Sequence, residues 1–187
     1  VSKTFKIEHI LPVLNQGHLH YGENKVQEAV EKWTSIKHEN KKLKLHLIGR
    51  LQTNKVKLAL NLFDYIHSLD SEKLANKISK IQKESNISRK LFIQVNIGNE
   101  LQKSGIKIDE VLDFYHYCKE LDLNIIGLMC IPPLTDDSTN YFKRMKELNK
   151  QVGLEQLSMG MSADYLKAIE NRSTYIRIGT EIFGQRG

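Results

Sequence analysis

The chain has 187 residues, of which 40% are hydrophobic and 27% are charged, and its formal net charge at pH 7 is +6. This length and composition are typical of a globular class with a sizeable core. No apolar run is long enough to cross a bilayer and no signal-peptide pattern is present, so the composition argues against a membrane protein.

The excess of basic residues raises the question of a nucleic-acid partner. Lysine and arginine are densest between residues 41 and 57. Elsewhere they are interleaved with acidic residues along helix faces, and no aromatic residues are spaced among them as stacking platforms. We therefore interpret the charge as a solvated surface and expect no nucleic-acid partner, although the same charge would attract an anionic small ligand.

Cysteine and histidine usage gives no metal or redox signature. Cys118 and Cys130 lie on a predicted helix and a predicted strand and form no such motif. His18 and His20 share a strand face, but no third ligand is evident, so no metal site is predicted. A reduced, cytoplasmic protein is expected.

Short apolar strand signals alternate with amphipathic helical runs along the chain. Helical periodicity is clear where apolar residues recur at steps of three and four, as in Val26, Ala29, Val30 and Trp33. The predicted strands span residues 1–3, 19–22, 43–49, 65–69, 91–97, 125–131, 156–161 and 175–180.

Eight strands alternating with helices predict a parallel sheet with helices outside it. Eight strands close a (β/α)8 barrel of the TIM type, and a doubly wound open sheet is the competing architecture. Neither GxGxxG nor a Walker loop, the usual signatures of the open sheet, follows any strand. We predict an α/β fold, a (β/α)8 barrel with one domain over residues 1–187. Because the numbering opens inside a strand, we expect an N-terminal helix and most of strand 1 to lie upstream of it.

Strand alternation places polar side chains inside this barrel. Arg177, Gln94 and Asn96 share the face that is left when the apolar residues of their strands meet the helices. Lys3 and Asn24 fall near the same mouth. Polar groups there need partners, water or a ligand, so a binding site is expected at the mouth.

The last thirty residues carry the parts of a phosphate site. Ser162 precedes a helical run over 163–171, and Gly179 and Thr180 end the strand that carries Arg177. Backbone N–H groups, hydroxyls and a cation are what a phosphate group requires. Barrels commonly bind phosphate in the loops after their last two strands. Taken alone, these glycine and hydroxyl residues are also compatible with ordinary turns.

Seven segments, in order over nearly the whole chain, carry recognisable motifs. They are residues 1–4 (VSKT), 21–29 (YGEN and QEA), 46–55 (HLIGRLQTNK), 94–106 (QVNI and KSGI), 127–132, 157–162 and 177–184. Together they resemble the pyridoxal phosphate homeostasis proteins, single-domain barrels related to the N-terminal domain of alanine racemases. The resemblance implies pyridoxal 5'-phosphate (PLP) as the cofactor, held as a Schiff base on Lys3.

The resemblance also assigns roles to other residues. It implies that Arg177 approaches the pyridine nitrogen and that Asn24 contacts the ring or its hydroxyl. An arginine only donates hydrogen bonds, so the ring nitrogen would stay unprotonated and the ring would be a weak electron sink. The cofactor-binding residues implied by the resemblance are Lys3, Asn24, Met161, Ser162, Arg177, Gly179 and Thr180. For three of these residues an alternative without a ligand stays open: Lys3 as a solvated lysine, Arg177 as an ion-paired arginine and Asn24 as a helix cap.

Two functions follow from this resemblance. The first is homeostasis or carriage of PLP, with PLP-dependent apo-enzymes as partners and a monomer or weak dimer as the assembly. The second is a PLP-dependent amino-acid racemase or a related enzyme of low activity, and racemisation needs acid/base groups on both faces of the α-carbon. In alanine racemases a C-terminal domain supplies the second group. We expect no such domain, since the numbering ends at Gly187, and therefore predict a protein that is not an enzyme.

Overall fold

The chain forms a sheet of seven parallel strands that pair with one another in chain order. The structure is a computed structural model that describes residues 1–134 and 137–184. The strands are β1 (His20–Glu23), β2 (Lys44–Leu47), β3 (Tyr65–Leu69), β4 (Lys90–Val95), β5 (Ile125–Cys130), β6 (Gln156–Met161) and β7 (Tyr175–Arg177). Each of the seven strands predicted between residues 19 and 180 is thereby confirmed.

A helix lies between each pair of successive strands, as the crossover between parallel neighbours requires. The helices are α1 (Ile7–Asn15), α2 (Val26–Glu39), α3 (Val56–Leu62), α4 (Glu72–Ser85), α5 (Val111–Glu120), α6 (Thr139–Val152), α7 (Tyr165–Glu170) and α8 (Thr180–Phe183). Short 3-10 turns at Thr53–Lys55 and Ile108–Glu110 precede α3 and α5. Within the described residues, no helix has both the length and the apolar character needed to cross a membrane.

Residues 1–3 join the two edges of the sheet without forming a regular strand. The backbone N–H of Ser2 donates to Gly22 O of β1 at 3.0 Å. The amino group of Val1 donates to Ile178 O, just beyond β7. The predicted eighth strand is thus represented by these two contacts, and the sheet is a nearly closed barrel, as predicted.

The main apolar core lies between the sheet and the helices. Trp33 of α2, Ile78 of α4 and Phe142 of α6 are each fully buried in it, and burying a side chain of this size stabilises a fold by about 1.5–3 kcal/mol. A second, smaller cluster lies inside the barrel, where Phe92 and Tyr65 pack with Met129. These side chains fill part of the barrel interior.

A cavity of about 490 Å³ lies in the gap between β1 and β7, beside Val1. Its lining combines apolar residues with the imidazoles of His18, His20, His46 and His67. The gap exists because only residues 1–3 connect the two strands, near their carboxyl ends.

Candidate functional site

The loops after β6 and β7 meet at the mouth of the barrel. Ser162 Oγ accepts a hydrogen bond from Thr180 Oγ1 at 2.9 Å and a longer one from the Gly179 N–H at 3.5 Å. A Cβ atom at Gly179 would lie 3.2 Å from the carbonyl oxygen of Val1. The absence of a side chain therefore lets this loop approach the segment that carries Lys3. The structure brings together three of the residues assigned to phosphate binding.

The helix expected directly after Ser162 begins later than predicted. Its first residue is Tyr165 and its N-cap position is Asp164. The Asp164 carboxylate accepts from the Met161 N–H at 2.7 Å, and the Asp164 N–H donates to Met161 O at 3.0 Å. This closed turn delays the helix, so Ser162 does not cap it. The backbone N–H of Met161, assigned to the cofactor, is bonded within the turn.

Arg177 is buried inside the barrel with an exposed fraction of 7%. Its Nη1 donates to Ser158 Oγ at 2.9 Å and its Nη2 donates to Cys130 O at 2.8 Å. Burial lowers the pKa of the guanidinium, but an arginine side chain stays protonated in proteins. Among the described residues Arg177 forms no ion pair, contrary to the alternative of an arginine that is ion-paired inside the barrel. The guanidinium thus keeps N–H donors that a ligand could use.

Asn24 follows β1 at the same end of the barrel. Its backbone packs closely against the loop that follows β2, since a Cβ atom at Gly49 would lie 2.2 Å from Asn24 O. The N-cap position of α2 is Lys25, so the cap alternative for Asn24 is wrong. Its Oδ1 atom is buried and has no hydrogen-bond partner within the described part of the chain. A buried acceptor without a partner is costly and suits a site that a ligand completes.

The segment before Lys3 is held by a buried carboxylate. Ser2 is fully buried, and its hydroxyl donates to Glu23 Oε1 at 2.8 Å. The same oxygen accepts from Trp33 Nε1 at 2.9 Å and from Lys32 Nζ at 3.0 Å. Lys32 Nζ also donates to Ser2 O at 3.0 Å. The backbone on the amino-terminal side of Lys3 is therefore tied to both β1 and α2.

The segment after Lys3 is held by the same helix. The Thr4 N–H donates to Glu28 Oε1 at 2.9 Å, and Glu28 pairs with Lys32 at 3.5 Å. Thr4 has a φ angle of 69°, which is unusual for a β-branched residue and stores backbone strain. Strained residues of this kind occur at ligand sites. Sequence reasoning missed this cluster, although the four-residue spacing of Glu28 and Lys32 on a helix was a signal for it.

Two residues predicted to point into the mouth serve a neighbouring loop instead. Gln94 Nε2 donates to Ser104 O at 3.2 Å, and Asn96 Nδ2 donates to Glu100 O at 2.8 Å. Both amides thus hold the loop that follows β4. The polar residues that do line the interior, His46, His67 and Ser158, were missed, although their alternate positions within strands were a signal.

The fold and the site define a class of protein. It is a nearly closed barrel of parallel strands, and its mouth combines a buried arginine with a hydroxyl cluster. The model of the family described as alanine racemase, N-terminal domain, matches residues 2–187. A pyridoxal phosphate homeostasis protein of Aquifex aeolicus is 41% identical over 195 residues, which cover 99% of this chain and 85% of that protein. The chain belongs to the pyridoxal phosphate homeostasis protein family.

Solved structures agree with this assignment. PipY of Synechococcus elongatus, solved with PLP bound, superimposes with a TM-score of 0.89 at 33% identity, covering 98% of this chain and 90% of that one. An alanine racemase of Clostridium difficile gives a TM-score of 0.75 at 15% identity, covering 99% of this chain and 51% of the racemase. The second likeness shows the fold alone.

Proposed function

We propose that the chain, as one domain over residues 1–187, binds PLP as a Schiff base on Lys3 and serves its homeostasis or carriage. The observation that carries the proposal is the cluster at the mouth. The Ser162 and Thr180 hydroxyls lie 2.9 Å apart, in a loop that packs against the segment of Lys3. The relative solved with PLP bound supports the same ligand.

The chemistry of the residues fits the parts of the cofactor. Ser162, Thr180 and the backbone at Gly179 would hold the phosphate, since they offer hydroxyl and N–H donors in close proximity. Arg177 would donate to the ring nitrogen. The unpartnered Asn24 Oδ1 would accept from the ring hydroxyl. When bound, PLP supplies an aldehyde that condenses with a lysine amine and a ring that can accept electrons.

A carrier is favoured over a catalyst by the nature of the ring partner. A guanidinium cannot accept a proton from the ring, so it would keep the pyridine nitrogen unprotonated and weaken the ring as an electron sink. The name of the Aquifex relative, a pyridoxal phosphate homeostasis protein, supports this choice. PLP-dependent apo-enzymes as recipients, a monomer or weak dimer and a cytoplasmic location remain predictions.

Reductive trapping tests the site. Treatment of the PLP-loaded protein with borohydride followed by peptide mass spectrometry should place the pyridoxyl group on Lys3. The Lys3→Ala variant should lose both the adduct and the absorbance band of the Schiff base. Lys6→Ala, which removes an exposed lysine three residues away, is the matched control and should retain both. An adduct that persists in Lys3→Ala would overturn the assignment.

The racemase alternative is kept because the family model itself describes a racemase domain. Incubation of the loaded protein with L-alanine in deuterated water separates the two functions. A carrier should leave the α-hydrogen in place on the timescale of enzymatic turnover. Rapid α-deuteration with conversion to D-alanine would instead favour the enzyme.

A further inference from the structure

A row of histidines crosses the barrel interior and ends at the arginine of the site. His20 Nδ1 lies 2.9 Å from His46 Nε2, and His46 Nδ1 lies 3.0 Å from His67 Nε2. His67 Nδ1 lies 2.9 Å from Ser158 Oγ, which accepts the hydrogen bond from Arg177. The row therefore links an exposed residue on β1 to the buried guanidinium on β7 through four consecutive hydrogen bonds.

Aromatic neighbours fix the planes of the two inner imidazoles. The ring of His46 stacks on Tyr65 with centroids 4.2 Å apart and planes 10° apart. The ring of His67 stacks on Phe92 at 4.3 Å and 16°. The two rings have exposed fractions of 6% and 1%. Each inner ring is thus held in a plane in which one nitrogen faces the preceding member of the row and the other faces the next.

The hydrogen bonds of the Ser158 hydroxyl determine in which direction the members of this row donate. The Ser158 hydroxyl has one hydrogen, and its oxygen already accepts from Arg177. If His67 Nδ1 carried a proton, Ser158 would accept twice, and no described residue would accept its own buried hydrogen. If His67 Nδ1 instead accepts from Ser158, that hydrogen is satisfied. An unsatisfied buried donor is strongly unfavourable, so the second arrangement prevails.

Donation by the Ser158 hydroxyl also determines which nitrogen carries the proton in each of the three histidines. A neutral imidazole has one donor and one acceptor nitrogen. With Nδ1 accepting, His67 donates from Nε2 to His46 Nδ1. His46 then donates from Nε2 to His20 Nδ1, and the Nε2–H of His20 is left for the exposed end. The order is Ser158, His67, His46, His20, and each member donates to the next.

We propose that His20, His46 and His67 form a one-directional chain of neutral Nε2–H imidazoles, which holds the Ser158 hydroxyl as an acceptor for Arg177. Ser158 is then a positioning residue for the contact between Arg177 and the cofactor's ring nitrogen, with His67 positioning Ser158. The role toward the ring nitrogen rests on the proposed function. The direction of the chain does not, because it follows from the ligand-free geometry.

The direction of the chain is tested on the ligand-free protein. Long-range proton–nitrogen NMR correlation of the nitrogen-15-labelled protein at neutral pH reports the tautomer of each imidazole, with single His→Gln variants assigning the signals. We expect His20, His46 and His67 all to be neutral with the proton on Nε2. A Nδ1–H tautomer or a charged ring at any of the three overturns the chain.

The positioning role is tested with two ligands, PLP and its 1-deaza analogue, which has carbon in place of the ring nitrogen. Ser158→Ala should raise the Kd for PLP about tenfold, equivalent to about 1.4 kcal/mol, and leave the Kd for the analogue within about twofold. The matched control is Ser68→Ala, since Ser68 is fully buried on β3 and its hydroxyl has no partner among the described residues. It should change neither Kd.

Each outcome of this experiment is decisive. An equal loss for both ligands in Ser158→Ala, or no loss for PLP, overturns the positioning role, since a purely structural effect does not distinguish the ligands. His67→Phe, which retains a ring to stack on Phe92, should reproduce the PLP-selective loss. A wild-type protein that binds neither ligand refutes the proposed function and the positioning role together, while the NMR result on the chain stands.

Discussion

Lys32 Nζ lies 3.0 Å from Glu23 Oε1, and the two side chains have exposed fractions of 9% and 0%. This buried pair connects α2 to the end of β1, and both members also bond to Ser2, next to Lys3. Two charges taken out of water are held only if further hydrogen bonds satisfy them. Here Trp33 and Ser2 supply those bonds to Glu23 Oε1, while Glu23 Oε2 has no partner among the described residues.

Removing the cation from this pair should be strongly destabilising. Lys32→Met leaves Glu23 buried and uncompensated, for which we expect a loss of about 3 kcal/mol in the free energy of unfolding. Urea denaturation followed by circular dichroism measures it. The control is Lys80→Met, because the Lys80–Glu84 pair is exposed at 69% and 58%, and the loss there should stay below about 0.5 kcal/mol. Equal effects of the two variants would contradict the buried role.

A methyl group at Gly49 should disturb Asn24. Its Cβ would lie 2.2 Å from Asn24 O and 2.7 Å from Asn24 Cα, and backbone atoms cannot move away cheaply. We expect Gly49→Ala to lose about 1–3 kcal/mol of stability and to weaken PLP binding. At Gly22, by contrast, the nearest atom to an added Cβ is a side-chain methyl of Val1 at 3.4 Å. Gly22→Ala should therefore be tolerated in both assays.

Stability should fall in mild acid because of His46. Burial, with His20 as a further cause, lowers the pKa of His46 from 6.5 to about 3. Between these two values the unfolded chain binds a proton that the folded chain does not, so the free energy of unfolding decreases as the pH falls. The contribution is about 1.4 kcal/mol per pH unit.

The variant His46→Phe isolates this contribution. Urea denaturation at several pH values between 6.5 and 3 should show a shallower dependence in the variant by the same amount per pH unit. His38→Phe, at an exposed position on α2, should retain the wild-type slope. An unchanged slope in His46→Phe would show that His46 titrates alike in the folded and unfolded states.

The hydroxyl of Thr180 should matter only for ligands that carry a phosphate. Thr180→Val keeps the branched shape but removes the hydroxyl that donates to Ser162 Oγ. Losing a hydrogen bond to a charged group should raise the Kd for PLP about tenfold. The Kd for pyridoxal, which lacks the phosphate, should not change, and Thr180→Ser should preserve both values. A similar loss for pyridoxal would place the phosphate elsewhere.

The sequence alone predicted the barrel and the seven strands of its sheet. Local periodicity predicts the strands at 65–69 and 156–161, because each element must bury one face. The alternation of side chains along a strand likewise turns Arg177 inward. Motif segments also singled out Ser162, Gly179 and Thr180, which the structure brings together. The predicted start of α7 was wrong because the Asp164 side chain closes a turn there. A periodic pattern does not show that such a turn competes with the helix.

Only the tertiary structure determined which partner each polar group has. The Glu23–Lys32 pair, the loop contacts of Gln94 and the link from Ser158 to His67, 91 residues away in sequence, depend on which strands become neighbours and on which direction a donor points. Hydrogen bonds act over about 3 Å and need alignment, so packing in three dimensions selects them. The order of the residues determined which groups must be buried, and the closed sheet determined how each of them is satisfied.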